Sequence, residues 1–193
     1  MSSAAAHGPW ATVPGVIETR DLKGEVTVVV EIGALTEAAL HLRDEEGFNF
    51  LSDITAVDYL GWGEVGVSGY IGTGTNNIAP GRNLNSPMTQ GLQVVPLPKP
   101  KRFAMNYHLL SVSDRPRRLR LQTWVDEGEP VPTVIEIWPT ADFHEREAFD
   151  LRGIAITGHP NMKRILLDDD WEGHPLRKDY PIGGEPVRFS EER

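Results

Sequence analysis

The sequence predicts a two-layer α+β domain with a mixed or antiparallel sheet, followed by a long irregular carboxy-terminal extension. Three observations predict this class. Several short stretches alternate apolar and polar residues with the period of a strand, and two stretches have the apolar spacing of a helix. The third is the near absence of periodicity in the last part of the chain. We therefore divide the chain into an irregular amino terminus (1–20), an α+β domain (21–152) and an extended partner-binding tail (153–193).

The domain begins with a strand, a helix and a second strand. "GEVTVVVEI" alternates valine and isoleucine with glutamate and threonine, which predicts a half-buried strand. "ALTEAALHLRDEEG" has apolar residues at helical spacing from Leu35 to Leu42, and Gly47 is predicted to end this helix. "FNFLSDITAVDY" is rich in β-branched and aromatic residues, which favours a strand.

Residues 61–100 interrupt this pattern. Thirteen of these 40 residues are glycine or proline, against 34 of 193 in the whole chain. The enrichment predicts a long excursion with little regular structure. Because loops longer than ~15 residues are uncommon in compact domains, we interpret this insert as either a functional arm or a disordered segment.

A hairpin and a second helix complete the predicted domain. "RFAMNYHLLS" and "RRLRLQTWV" both alternate in the manner of strands, and "SDRP" between them supplies a turn, so the pair is predicted to be antiparallel. "DFHEREAFDLRG" then has the composition of a short helix. We expect Asp142 to cap its first turn with Glu145 as the partner in a capping box, and Gly153 to end it.

The charge and the cysteine count exclude several classes of function. The net charge is −9 and the chain contains no cysteine. A chain this acidic is repelled by nucleic acid and by anionic lipid, so we expect neither as a partner. It cannot hold an iron–sulfur cluster on its own thiolates or use a cysteine nucleophile. The start has neither the basic region nor the apolar core of a secretion signal, and no apolar run is long enough to span a bilayer.

Three histidines invite a metal-dependent interpretation. "HERE" begins like a zinc-protease signature at His144, but the position that needs a second histidine is Ala148. "GHP" occurs twice, at His159 and His174, with aspartates between them. A metal-dependent hydrolase that uses these three histidines remains one hypothesis. The other interpretation is that each GHP forms a corner, because glycine permits a sharp bend and proline extends the preceding residue.

Two further features point to interactions with other proteins. "RPRRLR" (115–120) is a dense cationic cluster without interleaved aromatics, which favours a solvated strand face or a docking patch for an acidic neighbour over nucleic-acid binding. The irregular tail carries Trp171, Tyr180 and Phe189, residue types that dominate the energetics of interfaces. Since its backbone polar groups must find partners, we infer that the tail lies along a surface of this domain or of another protein.

The stretch "EREAFDLRGIAITGHPNMKRILLDDDWEGHPLRKDYP" (145–181) resembles the signature of the 30-kilodalton subunit of respiratory complex I, the proton-pumping NADH:quinone oxidoreductase (NDH-1). "FNFLSDITAVDY", "YHLLS" and "VPTVIEIWP" also resemble this family, so the likeness covers most of residues 25–181. Two departures stand out. The insert 61–100 lies where the family usually has a short link, and Asp168 stands where the family tends to have proline.

The resemblance implies a non-catalytic, structural subunit of the peripheral arm on the cytoplasmic side of the cell (inner) membrane, associated with the membrane only indirectly. The complex passes electrons from NADH through FMN and iron–sulfur clusters to quinone and couples this to proton translocation, whereas this chain would bind none of these cofactors. The implied partners are the large subunit that forms the quinone pocket and the subunit that bears the terminal iron–sulfur cluster. The residues expected at the partner interface are Glu145, Arg146, Glu147, Asp150, His159, Arg164, Trp171, His174, Arg177, Lys178 and Tyr180.

One alternative role is consistent with the same signature. The chain could be the equivalent subunit of a related membrane hydrogenase, or of a quinone oxidoreductase fed by another electron donor, because the donor module consists of other chains. Within either complex, we predict that the insert 61–100 is an arm that contacts a neighbouring subunit.

Overall fold

The computed structural model describes residues 8–62 and 99–181. Most of the predicted insert 61–100 lies outside these residues, so its predicted role as an arm stays a prediction. The described chain contains seven strands and two α-helices. The strands are β1 (Val16–Leu22), β2 (Glu25–Val30), β3 (Phe50–Asp58), β4 (Phe103–Ser111), β5 (Arg117–Val125), β6 (Val131–Pro132) and β7 (Ile156–Thr157), and the helices are α1 (Leu35–Asp44) and α2 (Ala141–Arg152).

Five strands form the main sheet in the order β1-β2-β5-β4-β3. All neighbours in this sheet are antiparallel except β2 and β5, which are parallel and pair Thr27 with Arg120. The predicted β4–β5 hairpin is present, with Tyr107 opposite Leu121. β6 and β7 form a separate parallel pair. The predicted α+β class with a mixed sheet is confirmed.

The main core lies between the helices and one face of the sheet. Leu35 and Leu42 of α1 and Ala141 and Ala148 of α2 belong to the same apolar cluster as the inward-facing residues of the strands. Within that cluster Tyr107 is fully buried. The pattern explains the layers, because each helix has one apolar stripe and the core-facing residues of a strand recur at every second position.

A second, smaller cluster lies on the opposite face of the sheet. It consists of Val29, Ala104 and Trp124, with Tyr59 packed against them. Because of this cluster the prediction that β2 is only half-buried is wrong, and Val29 is 1% exposed although it alternates with the core residues. A strand that carries valine on both faces can be buried on both.

Two further predictions about elements are corrected. The amino terminus is not irregular up to residue 20, because β1 begins at Val16 and pairs with β2. The prediction of a capping box at the start of α2 is also wrong. Thr140 precedes the first turn of α2 without a side-chain cap, and Glu145 points into the core instead of back to the helix start. The predicted end at Gly153 is confirmed, with a left-handed φ of 69°.

The part of the chain that follows α2, here called the carboxy-terminal segment (residues 153–181), is irregular as predicted. Its one regular element among the described residues is the two-residue strand β7. The two GHP sequences form bends, with φ of 82° at Gly158 and 81° at Gly173. Since these backbone angles favour glycine, the interpretation of each GHP as a corner is confirmed.

Candidate partner-docking site

α2 and the carboxy-terminal segment contain all the residues that the resemblance assigns to a partner interface. Asp150, near the end of α2, is fully buried. Its Oδ2 accepts the backbone N–H groups of Ile165, Leu166 and Leu167 at 3.0, 2.8 and 3.1 Å, and its Oδ1 accepts from Nη1 of Arg164 at 3.1 Å. This single carboxylate therefore fixes four consecutive residues of the carboxy-terminal segment to α2.

The environment of Asp150 favours its charged form. Burial opposes ionisation, but the three backbone N–H donors and the Arg164 guanidinium outweigh it and lower the pKa of Asp150. A carboxylate that accepts several N–H bonds gains more in the ionised form than burial costs. Asp150 is thus an anionic anchor at neutral pH.

Glu145, about one and a half turns earlier in α2, is also fully buried but bonds to a different part of the chain. Its Oε1 accepts the Val134 N–H at 2.8 Å and its Oε2 accepts the Thr133 hydroxyl at 2.5 Å. Burial raises the pKa of Glu145, and these two donors only partly offset it. Glu145 and Asp150 were predicted at a partner interface. In the structure both carboxylates are enclosed and bind this chain's own backbone, so they do not present a surface to a partner.

His159 lies beside the Glu145 carboxylate. Its imidazole is fully buried, Nδ1 accepts the Asn161 N–H at 3.1 Å, and Nε2 lies 3.3 Å from Oδ1 of Asp142 and 4.0 Å from Oε2 of Glu145. Nε2 of His159 therefore faces both carboxylates. His159 thus joins the first GHP corner to α2.

Arginine side chains of α2 hold the carboxy-terminal segment through its carbonyl groups. Arg146 donates from Nε to the Lys163 carbonyl at 3.0 Å and lies over the ring of Phe143. Arg152 donates from Nη1 to the Leu176 carbonyl at 2.8 Å. Arginines that cap irregular backbone in this way replace the missing secondary structure as a source of hydrogen bonds.

The second GHP corner packs against the carboxy-terminal end of α2. Nδ1 of His174 lies 2.8 Å from the Asp150 carbonyl. A Cβ on Gly153 would meet the His174 ring at 2.5 Å, so glycine is required there for space as well as for its backbone angle. Tyr180 packs in turn over Gly173, where an added Cβ would lie 3.0 Å from the Tyr180 ring.

The far end of the carboxy-terminal segment is tied to the sheet by a cluster of charges. Asp58, at the end of β3, accepts the Lys178 N–H at 2.9 Å and pairs with Arg102 at 3.1 Å. Arg102 also pairs with Asp179 at 2.9 Å. Although burial opposes it, bonding to the two aspartates raises the pKa of Arg102. Arg177 pairs with Glu127 and with Asp179.

Asp58 and Arg102 were missed by reasoning from the sequence. Alternation in β3 places Asp58 on the same face as Ile54 and Ala56, and a carboxylate on an apolar face requires a cationic partner or several N–H donors. That pattern could have identified Asp58 as an anchor for another part of the chain. Arg102 gives no comparable signal, because it stands outside the regular alternation of β4.

Several predicted interface residues do face solvent. Glu147, Trp171 and Lys178 are exposed, and Trp171 is 40% accessible. Three more large apolar side chains of α2 and the carboxy-terminal segment are also exposed: Phe143, Leu166 and Leu176. The prediction of a partner interface at these positions stays a prediction.

The three histidines of the hydrolase hypothesis have separate partners. His144 lies 3.3 Å from Asp53, His159 faces Asp142, and His174 bonds to the Asp150 carbonyl. Within residues 8–62 and 99–181, no group of three or more histidines, aspartates and glutamates is placed to hold a metal ion. In the same residues no helix has the length and apolar character needed to cross a membrane.

Proteins of similar sequence indicate the family to which this arrangement belongs. The model of the family described as "Respiratory-chain NADH dehydrogenase, 30 Kd subunit" matches residues 28–186. The C subunit of the NADH-quinone oxidoreductase of Coxiella burnetii (strain Dugway 5J108-111) is 45% identical over 164 residues, covering 83% of this chain and 69% of the relative. The protein of the same name from Roseiflexus sp. (strain RS-1) is 36% identical over 178 residues, covering 91% and 80%.

Solved structures agree with the family match. A trypsin-resistant fragment of Nqo5 is 30% identical with a TM-score of 0.53, covering 74% of this chain and 87% of that one. A chain in the structure of the membrane-bound sulfane sulfur reductase, an archaeal respiratory membrane complex, has a TM-score of 0.61 over 95% of this chain and 92% of that one, at 20% identity, which shows a shared fold. The likeness inferred from the tail signature is thereby confirmed, and the chain belongs to the family of the 30-kilodalton subunit of respiratory-chain NADH dehydrogenase.

Proposed function

We propose that this chain is a structural subunit of the peripheral arm of the proton-translocating NADH:quinone oxidoreductase. In this role NADH, FMN, iron–sulfur clusters and quinone act on other subunits. The chain has no cysteine with which to bind a cluster. It would reach the cytoplasmic face of the cell membrane only through its partners, which we propose to be the large quinone-pocket subunit and the subunit that bears the terminal iron–sulfur cluster.

The observation that carries this proposal is how the carboxy-terminal segment is held. Asp150 and the cluster around Asp58 fix an irregular ribbon to the domain at two separate places. A ribbon that is ordered before it meets a partner loses little conformational entropy on binding. At the same time Phe143 and Trp171 remain 65% and 40% exposed, and aromatic side chains that are covered on binding contribute much of the energy of an interface.

The test is a double variant, Phe143→Ala with Trp171→Ala, in a tagged chain expressed in the native cell. Because both side chains are partly exposed and outside the core, we expect the isolated chain to remain folded, which urea unfolding checks. In pull-downs from detergent-solubilised membranes, we expect at least a tenfold loss of the other peripheral-arm subunits, since two interface aromatics commonly contribute about 2 kcal/mol or more.

Leu22→Ala with Val112→Ala is the matched control, because Leu22 and Val112 are 71% and 59% exposed and belong to neither α2 nor the carboxy-terminal segment. We expect this control to recover the complex in full. Undiminished recovery with the Phe143 and Trp171 double variant would contradict the proposed interface.

The fold shared with the archaeal sulfane sulfur reductase chain motivates one alternative role. In that case the chain would serve a related membrane complex fed by a donor other than NADH. Mass spectrometry of the co-purifying subunits separates the two roles. An NADH-oxidising flavoprotein among them supports the first, and a hydrogenase or another donor module in its place supports the alternative.

A further inference from the structure

A groove lies on the face of the sheet opposite the helices, at the end where β2 and β5 begin. It has a volume of about 620 Å³ and is lined by the β1–β2 turn, the start of β2 and β5, the beginning of β3 and the end of β4. His108 and Arg118 alternate with the core residues Leu109 and Leu119, so their side chains face away from the core. The groove is therefore distinct from the proposed docking site, and the two adjoin where Asp53 of the groove lies 3.3 Å from His144 of α2.

The cations of this groove are poorly compensated. Arg118 and Lys23 are exposed and form no salt bridge within residues 8–62 and 99–181. Arg120 lies 3.5 Å from Glu25, whose side chain is 75% exposed, and such a pair contributes little. The lining carries these three cations against the two carboxylates of Glu25 and Asp53, so its net charge is +1 in a chain of net charge −9.

The turn at one end of the groove holds Lys23 toward it in an unusual backbone conformation. Lys23 and Gly24 have φ of 56° and 85°, the left-handed angles of a two-residue hairpin turn. The first of these two positions favours asparagine, aspartate or glycine, yet a lysine occupies it. The turn thus places Lys23 in the lining of the groove.

Histidine does not add to the positive charge. Burial and the nearby Arg120 guanidinium lower the pKa of His108, so its imidazole is neutral at physiological pH. Asp53 of β3 is the cross-strand neighbour of His108, and its carboxylate lies 3.3 Å from His144 of α2. The attraction for an anion therefore comes from Lys23, Arg118 and Arg120, and it persists across the physiological pH range.

The dimensions of the groove suit an extended polypeptide. It spans four strands, from β2 across β5 and β4 to β3, which is about 14 Å at the usual spacing between strands. An extended chain covers that distance in about four residues. Half-buried Leu110 lines the groove and offers contact to an apolar side chain.

We propose that this groove binds an extended acidic segment of a partner polypeptide, about four residues long, whose carboxylates pair with Lys23, Arg118 and Arg120. Glu25 and Asp53 at the groove accept backbone N–H groups of the segment, which a polypeptide supplies and a nucleic acid does not. Within residues 8–62 and 99–181 no phenylalanine, tyrosine or tryptophan lines the groove, so this part of the chain offers few of the stacking surfaces on which single-stranded nucleic acid binds. The net negative charge of the chain opposes a flat anionic membrane.

The experiment uses the purified full chain and a fluorescein-labelled, end-capped peptide of sequence Glu-Val-Glu-Ser-Glu. We expect it to bind at low ionic strength, with an affinity that falls by about tenfold or more in an Arg118→Glu, Arg120→Glu variant. Arg115→Glu is the matched control, since Arg115 is exposed in the β4–β5 turn and does not line the groove. The single variant Arg118→Glu changes the net charge by the same amount as Arg115→Glu, and we expect only Arg118→Glu to lose affinity while Arg115→Glu stays near the wild type.

Three outcomes would overturn the proposal. The first is the absence of binding by the wild type, and the second is an equal loss of affinity in Arg115→Glu, which would indicate general attraction only. The third is tighter binding of a thymidine decanucleotide or of phosphatidylglycerol vesicles than of the peptide. Urea unfolding of each variant checks that the fold is intact. Because the assay uses the chain alone, its failure would leave the proposed role in the respiratory complex untouched.

Discussion

Asp150 and Glu145 are two buried carboxylates five residues apart in α2, and they bind different parts of the chain. Asp150 holds an irregular segment with four donors, and the pKa of its carboxyl is lowered. Glu145 has two donors and an imidazole nearby, and the pKa of its carboxyl is raised. Neither carboxylate is accessible to solvent, and Asp150 has more donors than Glu145, one of them cationic, to offset the cost of burial.

The largest expected effect comes from removing the carboxylate with more donors. Asp150→Ala leaves three backbone N–H groups and the Arg164 guanidinium without an acceptor, and we expect the free energy of unfolding to fall by about 4 kcal/mol. Glu145→Ala leaves only two donors without an acceptor, and we expect the free energy of unfolding to fall by about 2 kcal/mol. Urea unfolding of the purified chain measures both.

Glu147→Ala is the control for these two variants, because Glu147 is exposed on the same helix and its loss is expected to change stability by less than ~0.5 kcal/mol. Limited proteolysis adds a second measure, since only Asp150→Ala should expose the carboxy-terminal segment to cleavage. Equal costs for Asp150→Ala and Glu145→Ala would show that donor number does not distinguish the two carboxylates.

An intermediate effect is expected at the glycine that ends α2. Gly153→Ala imposes a left-handed angle on alanine and drives its Cβ into the His174 ring, and we expect a loss of about 2 kcal/mol. The double variant Gly153→Ala, His174→Ala relieves the steric part. Thermal or urea unfolding should therefore give a smaller cost for the double variant than the sum of the two single variants. Strict additivity would mean that the ring and the glycine are independent.

The smallest expected effect is a difference in pH dependence. Asp150 has a folded pKa below its ordinary 3.8, so its contribution is present above that pH and is lost as the pH falls through the folded value. Glu145 has a folded pKa above its ordinary 4.5, so its contribution is present below that pH and is lost as the pH rises through the folded value.

Stability measured against pH in Asp150→Asn and Glu145→Gln tests these signs. Asp150→Asn should flatten the loss of stability on the acid side of pH 3.8, and Glu145→Gln should flatten a loss above pH 4.5. Profiles parallel to the wild type would exclude both carboxyls as contributors to the pH dependence.

The sequence was informative where one residue pattern decides the structure. Alternation in "RFAMNYHLLS" and "RRLRLQTWV" predicted the β4–β5 hairpin and its buried face, and Gly153 marked the end of α2 correctly. In both cases the signal is local, because side-chain period and backbone angle are properties of neighbouring residues.

Long-range partners explain the errors. Glu145 has the spacing of a capping box, but the Thr133 hydroxyl and the Val134 N–H lie within its reach only after the chain has folded. β1 was missed for the same reason, because Val16–Leu22 gains its strand conformation from pairing with β2. The sequence identified which residues of the docking site are chemically suggestive, but not that Asp150 faces its own chain.

The parallel pairing of β2 with β5 has a consequence for synthesis of the chain. Thr27 pairs with Arg120, 93 residues later, so the hairpin of β1 and β2 cannot join the rest of the sheet until that length has been translated. At ribosomal rates of 5–20 residues per second, this delay lasts about 5–19 s. During that time the edge of β2 that later pairs with β5 is open, and an unpaired strand edge is prone to aggregation.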